Sequence, residues 1–325
     1  MSEPLKMEGQ PTTPEADESF SLAGTKPESL WHKALKKFVA NPFAMGGLTF
    51  LVIVILIAIF ASKLAPYPPA KIDLLNPASP PSKAHLLGTD TIGRDVLSRL
   101  LFASRVSLVV GFSVAAGTVI LGSVIGAIAG FFGGWIDTVL MRFIDIMLSF
   151  PGLFLNILVL AIFGSNFIYL ILILVFTSWM GVARLVRGQF LQLREMQYVE
   201  AARALGVPKW EIMFNHLLRN ATGPIIVAAT LSVGGAMLSE AALSFLGFGV
   251  QPPQTSWGQM LSNAQDYMLT APWYALYPGL CIFVTVLAVN FVGDGIRDAL
   301  DPRQKVRIPK RRMAEWRARF SKSKS

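Results

Sequence analysis

Six stretches of the chain are apolar almost without interruption: Phe43 to Leu64, Val106 to Gly133, Met141 to Phe163, Phe167 to Val186, Pro224 to Phe248 and Tyr274 to Val292. A bilayer core about 30 Å thick is crossed by roughly 20 helical residues, so each run is of the size that forms one transmembrane helix. The pattern predicts an all-α membrane protein with six transmembrane helices. Charged positions between the runs set the direction. Lys33, Lys36 and Lys37 precede the first run, and Arg184, Arg187, Arg194, Arg203 and Lys209 close the fourth and fill the loop after it. A basic tail follows the sixth run. The loop from Gly249 to Trp273 has neither Lys nor Arg. The positive-inside rule then places both termini in the cytoplasm. The first outer loop is an exception, with Lys71, Lys83, Arg94 and Arg99 and with Arg105 at its edge, partly offset by Asp73, Asp90 and Asp95.

These patterns divide the chain into a disordered cytoplasmic tail (1–30), an amphipathic segment with the first span (31–64), an outer loop (65–104), a core transmembrane domain (105–298) and a basic cytoplasmic tail (299–325). The leader is rich in Pro, Glu, Ser and Thr and has no apolar core, so it reads as a tail and not as a cleaved signal peptide.

Composition agrees with the membrane assignment, since 53% of the 325 residues are hydrophobic and only 15% charged. The formal net charge of +9 fits anionic lipid and cytoplasmic orientation, because the cations cluster at the ends and in one loop instead of forming a patch with stacking aromatics. No nucleic-acid partner is expected. Cys281, the single cysteine, has no partner for an internal disulfide and reads as core packing.

Several positions within the spans bear on packing or transport. Gly122, Gly126 and Gly130 lie four apart, on one helical face where another backbone can approach closely. Glu240 is an acid inside a span, which normally finds a partner or a watery cavity; it is a candidate for the pathway or for a gate against a second permease. Arg142 and Asp145, three apart, read as a local helix pair. Gly88, Asp90, Arg94 and Asp95 read as a capped turn opening an amphipathic helix. The three histidines, His32, His85 and His216, fall on opposite sides of the expected topology and cannot assemble a metal site. Nowhere does Lys directly follow Gly, so the phosphate-cradling Gly-Lys-Ser/Thr pattern is absent and no ATPase site is expected.

The segment from Leu191 to Leu218, LQLREMQYVEAARALGVPKWEIMFNHLL, is too patterned for a linker. Glu200 to Leu205 favours helix, Gly206 suits a left-handed C-terminal cap and Pro208 suits the first turn of a second helix. Trp210, Met213, Phe214 and Leu217 supply an apolar stripe on that second helix. In Glu200, Ala201, Ala202 and Gly206, followed by the apolar pair Leu217 and Leu218, the segment resembles the signature loop of ABC-importer inner-membrane permeases. Arg219 stands where that family usually has Pro. Three further stretches, HLLGTDTIGRDVLSRLLFASRVSL from His85, LSFLGFGVQPPQTSWG from Leu243 and GDGIRDALDPR from Gly293, are similar to the C-type permease subunit of the dipeptide/oligopeptide importer family. The likeness runs from about Ala34 to Arg303.

The resemblance implies a type I ABC-importer permease fold in a bacterial inner membrane, with residues 191–218 forming coupling helices that sit on a cytoplasmic ATPase. Its implied partners are a homologous second permease subunit, two ATP-binding subunits, an extracytoplasmic substrate-binding protein and membrane lipid. ATP is used by the partner subunits, and this chain binds no cofactor of its own. The implied function is half of a translocation pathway for short peptides, related systems carrying nickel complexes or glutathione. The competing reading is a secondary transporter of small solutes, which would keep working when ATP is depleted and the ion gradient remains.

Overall fold

The protein is described from a computed structural model, which covers residues 30–300. The expected tails, 1–30 and 299–325, lie outside the described residues except for their innermost positions. Among the described residues there is no strand, only one isolated bridge between Thr89 and Asp95.

A short helix, α1 (Leu30–Val39), leads into α2 (Pro42–Leu64). Asn41 caps α2 by accepting hydrogen bonds from the amides of Phe43 (3.1 Å) and Ala44 (3.3 Å), and Pro42 occupies the first turn, where its missing N–H costs nothing. A long loop then reaches α3 (Val96–Phe132), whose 37 residues make a rod of about 55 Å. The apolar run starts only at Val106, and the helix expected to open at the Gly88–Asp95 turn is continuous with it. Helix α3 begins ten residues earlier than the run because Asp95 caps it, accepting from the Ser98 amide at 2.7 Å, so the expected outer loop 65–104 is shortened from its C-terminal side.

The third apolar run is not one straight helix. It folds as α4 (Gly134–Leu148) and α5 (Gly152–Phe163), bent by 81° across the break. Pro151 is the cause: it offers no N–H and disfavours helical backbone at Phe150. The pair nevertheless climbs along the neighbouring helix α6 (Phe167–Leu193) in one direction. Asp137 pairs with Arg187, Asp145 with Arg184, and Asn156 accepts a hydrogen bond from Thr177 at 2.9 Å. Leu160 shares a core cluster with Leu170, Ile173 and Leu174. A segment that meets α6 in this monotonic order is a broken crossing, and with the five other long apolar helices it makes six.

After α6 come α7 (Gln197–Ala204), the single turn α8 (Lys209–Glu211), a π-helical segment (Ile212–Leu218) and α9 (Arg219–Phe245), the last three forming one unbroken rod. The expected fifth span, from Pro224, is the upper part of this rod. A short helix, α10 (Trp257–Asn263), packs on both α9 and the final α11 (Pro272–Leu300).

Helix α3 is the centre of the bundle, packing on α6 most extensively and also on α9 and α2. Only 28–39% of each long apolar window is buried within the chain. The remaining apolar surface, with Leu56, Ile59, Phe60, Ile120 and Phe283 exposed, needs lipid or a neighbouring subunit to cover it.

Candidate functional site

The loop after α6 folds as two helices around a tight turn. Gly206 has φ +78°, a left-handed backbone that suits glycine. The Val207 amide donates to Ala202 O at 3.0 Å and the Gly206 amide to Arg203 O at 3.0 Å, so the last carbonyls of α7 are satisfied and the chain reverses. Pro208 is the cap residue of the next turn, one position before the helix.

The π-helical stretch sorts the side chains that follow. Ile212 and Leu217, five apart, are both buried, as i→i+5 bonding brings them to one face. They join Val199 and Ala202 of α7, Phe190 of α6 and Ala221 of α9 in one cluster that anchors the loop to the bundle. On the other side Trp210 (63%) and Phe214 (53%) are exposed, with Leu205 (83%) at the turn. The stripe read from sequence therefore divides: Trp210 and Phe214 face out, Leu217 faces in and Met213 is half-buried. Of the motif residues, Glu200, Ala201 and Gly206 are exposed, Ala202 and Leu217 are buried and Leu218 is half-buried. Leu205 was not singled out from sequence, although a leucine directly before a capping glycine is the residue a sharp turn pushes outward.

Gly122, Gly126 and Gly130 are buried against α6. A Cβ on Gly122 would lie 2.7 Å from Val182 Cβ and one on Gly130 2.6 Å from Phe190 Cβ, while one on Gly126 would meet the Ala183 carbonyl. The stripe thus joins α3 to the helix that carries the loop. Near the loop, Arg194 donates to Gly130 O at 3.2 Å. Asp145, expected to pair with Arg142, instead accepts from Arg184 of α6 at 2.5 Å, because α4 packs beside that helix.

At the opposite end, Asp90 and Asp95 organise the start of α3. Asp90 accepts from the amides of Ile92 (3.1 Å) and Arg94 (2.8 Å), from Arg94 Nε (2.6 Å) and from Arg99 Nη1. Asp95 accepts from the Ser98 amide and hydroxyl, both at 2.7 Å, and pairs with His85 at 3.0 Å. Arg99 also reaches Tyr274 Oη (3.5 Å) and Thr255 Oγ1 (3.4 Å). One buried guanidinium therefore links the first loop, α3, the segment before α10 and α11. Gly88 has φ +79° and closes the turn. Arg105 donates to Ala58 O (3.0 Å) and Ile59 O (3.1 Å) in α2. Arg94, Arg99 and Arg105 are thus held by partners within the protein, which accounts physically for cations in a loop where the charge rule expects few.

Glu240 is 1% exposed, inside the chain's own fold, where Ser244 Oγ donates to it at 2.6 Å. Ser244 lies 3.4 Å from Ser256, the residue that caps α10. The structure thus sets Glu240 beneath the start of α10 and on no open surface. Among the described residues no group of three His, Cys, Asp or Glu is arranged to hold a metal ion.

A bundle of long apolar helices with a buttressed two-helix loop at one end and a latched polar end at the other is the build of a multi-spanning membrane protein. The family described as the binding-protein-dependent transport system inner membrane component matches residues 122–306, and the N-terminal TM domain of oligopeptide transport permease C matches residues 29–81. The dipeptide transport system permease protein of Alkalihalophilus pseudofirmus is 40% identical, over 92% of this chain and 97% of the relative. The glutathione transport system permease protein of Pectobacterium atrosepticum is 42% identical over 85% and 92%, and the oligopeptide transport system permease protein of Bacillus subtilis 40% over 85% and 90%. The chain belongs to the binding-protein-dependent transport permease family and is a multi-pass protein of the inner membrane.

Proposed function

We propose that this chain forms half of the translocation pathway of an ATP-driven importer for short peptides and receives its driving force through residues 191–218. The observation that carries the reading is the loop itself. Glu200, Ala201 and the Gly206 turn are presented to the outside together with Leu205, Trp210 and Phe214, while Val199, Ala202, Ile212 and Leu217 fasten the loop to the bundle. A push on its exposed face is passed to α9, which runs on from the loop without a break, and to α3 and α6 through the same cluster. Such rigid-body transmission is the ordinary means of switching a bundle between two arrangements.

The chain depends on others for energy, since it lacks a Gly-Lys phosphate loop. The partners in this reading are two cytoplasmic ATP-binding subunits, a second homologous permease and an extracytoplasmic binding protein, with both termini of the chain cytoplasmic. Peptides are favoured as cargo because relatives named for dipeptide, oligopeptide and glutathione transport are all about equally similar to it. The three cargoes share amide bonds and a free carboxylate.

The test is uptake of a labelled dipeptide by cells expressing the full system. Uptake that stops on ATP depletion while the ion gradient is held supports the reading. Uptake that persists on the gradient alone assigns the chain to secondary transport.

A further inference from the structure

A cavity of about 520 Å³ opens at the polar end, between residues 69–72, the start of α3 and the segment 244–263. Arg94 and Arg99 are the ionisable side chains in its wall. Both use Asp90, so two guanidinium groups share one carboxylate. Three acids nearby are committed elsewhere: Asp95 to Ser98 and His85, Asp73 to Asn76 and the Leu75 amide, and Glu240 to Ser244 behind the wall. The wall therefore carries an excess positive charge.

Its polar groups are also incompletely paired. Arg99 is 1% exposed, and its Nε has no partner although both terminal nitrogens do. Gln259, 9% exposed, lines the same cavity and its Oε1 has no partner. Buried polar atoms of this kind are normally satisfied, and leaving them bare is costly. A guanidinium donor and an amide beside it are the complement of a carboxylate attached to a peptide group. The volume is in the range of small-molecule sites and equals on the order of fifteen waters at about 30 Å³ each, far more than one acidic side chain fills.

We propose that this cavity is an outer site for the carboxylate end of a small peptide-like solute, with Arg94 and Arg99 holding the charge and Gln259 the adjoining amide. The proposal rests on the peptide-import reading above and adds a site to it. A carboxylate could also be supplied by an acidic side chain of a docked binding protein, and the experiment separates the two sources.

The full chain with its second permease, in nanodiscs without binding protein, is titrated calorimetrically with dialanine and with dialanine amide. Dialanine is expected to bind and its amide to bind about tenfold more weakly, the scale of one charge-assisted hydrogen bond. Gln259→Leu and Arg94→Gln should each weaken dialanine about tenfold, and Arg94→Gln should also narrow the preference over the amide. Arg94 is partly exposed, so its variant serves if Gln259→Leu fails to fold. Equal binding of the two ligands, or dialanine binding unmoved by folded variants, overturns the proposal. So does an absence of dialanine binding, including the case in which Arg94→Gln weakens only docking of the binding protein, which assigns the carboxylate to that partner. ATP-driven uptake by the wild-type system is measured in parallel: uptake without dialanine binding removes the cavity site alone, whereas ATP-independent uptake removes the peptide-importer reading itself.

Discussion

Arg99 and Asp90 face each other as an ion pair with side chains 2% and 0% exposed, nine residues apart in sequence and on either side of the turn that starts α3. Burial removes water from both groups, and they are not equally dependent on the pair: without Arg99, Asp90 keeps Arg94 and two backbone amides, whereas without Asp90 the Arg99 guanidinium keeps only the Tyr274 and Thr255 hydroxyls. Asp90→Asn, which leaves the buried guanidinium without its carboxylate, is expected to destabilise the protein by about 3–5 kcal/mol. The double variant Arg99→Met with Asp90→Asn should recover a large part of that loss. Thermal unfolding in detergent measures both, and equal melting of the single and double variants would contradict the account.

The α3–α6 contact gives a second expectation. Gly126→Leu places a side chain where the Ala183 backbone and Val186 lie, and overpacking of this kind costs about 1–3 kcal/mol. Gly134, with nothing within 4 Å of its Cβ position, lies just past the end of the stripe. Its φ of +56° lets Asn stand in for glycine, so Gly134→Asn should change little. Comparing their melting temperatures in one detergent tests whether the close approach matters.

At Gly206 the space around the Cβ position is open, so any effect of substitution comes from the backbone. Gly206→Val should cost about 1–2 kcal/mol, and Gly206→Asn less, because Asn tolerates the left-handed region. Insertion should be intact in both, with binding to the ATP-binding subunits weakened in the order Val then Asn. Binding equal to wild type in Gly206→Val would sink the turn's assigned role.

Acidification should open the loop between α2 and α3 at one point. The Asp73 carboxylate is held below its ordinary range, first by the Asn76 side chain and then by the Leu75 amide. Its folded value lies below its unfolded one, so its contribution is complete above the unfolded pKa and is lost as pH falls through the folded one. The protection of the Leu75 amide, measured relative to its intrinsic exchange rate at each pH, should therefore fall only in acid, and Asp73→Asn should abolish that dependence.

The six apolar runs and the Glu-Ala-Ala-x-x-x-Gly loop were legible in the sequence because both depend on local order: twenty consecutive apolar positions, and a glycine between two helix-forming stretches. What escaped depends on distant partners. Nothing next to Asp145 tells that its partner is Arg184 and not Arg142, since the choice follows from the packing of α4 beside α6 after the turn at Gly133 and Gly134. Arg99 looked like a loop cation because its partners Thr255 and Tyr274 lie more than 150 residues away. Pro151 was the one visible sign of the broken third span, and it lies within an apolar run that hydropathy alone reads as continuous. The division of the Trp210–Leu217 stripe was hidden by its geometry, as a period of 3.6 puts Leu217 beside Phe214 and the π-helical turn separates them.

If residues 191–218 dock an ATP-binding subunit, as proposed, co-purification in mild detergent tests it, wild type against Leu205→Glu, with the bound proteins identified by mass spectrometry. Leu205 is 83% exposed, so the substitution leaves the fold intact while placing a charge on the contact face. The account predicts ATP-binding subunits recovered with the wild-type chain and lost from the variant, with the second permease retained in both. Recovery of the ATP-binding subunits in equal amount with both proteins, or with neither, would contradict it.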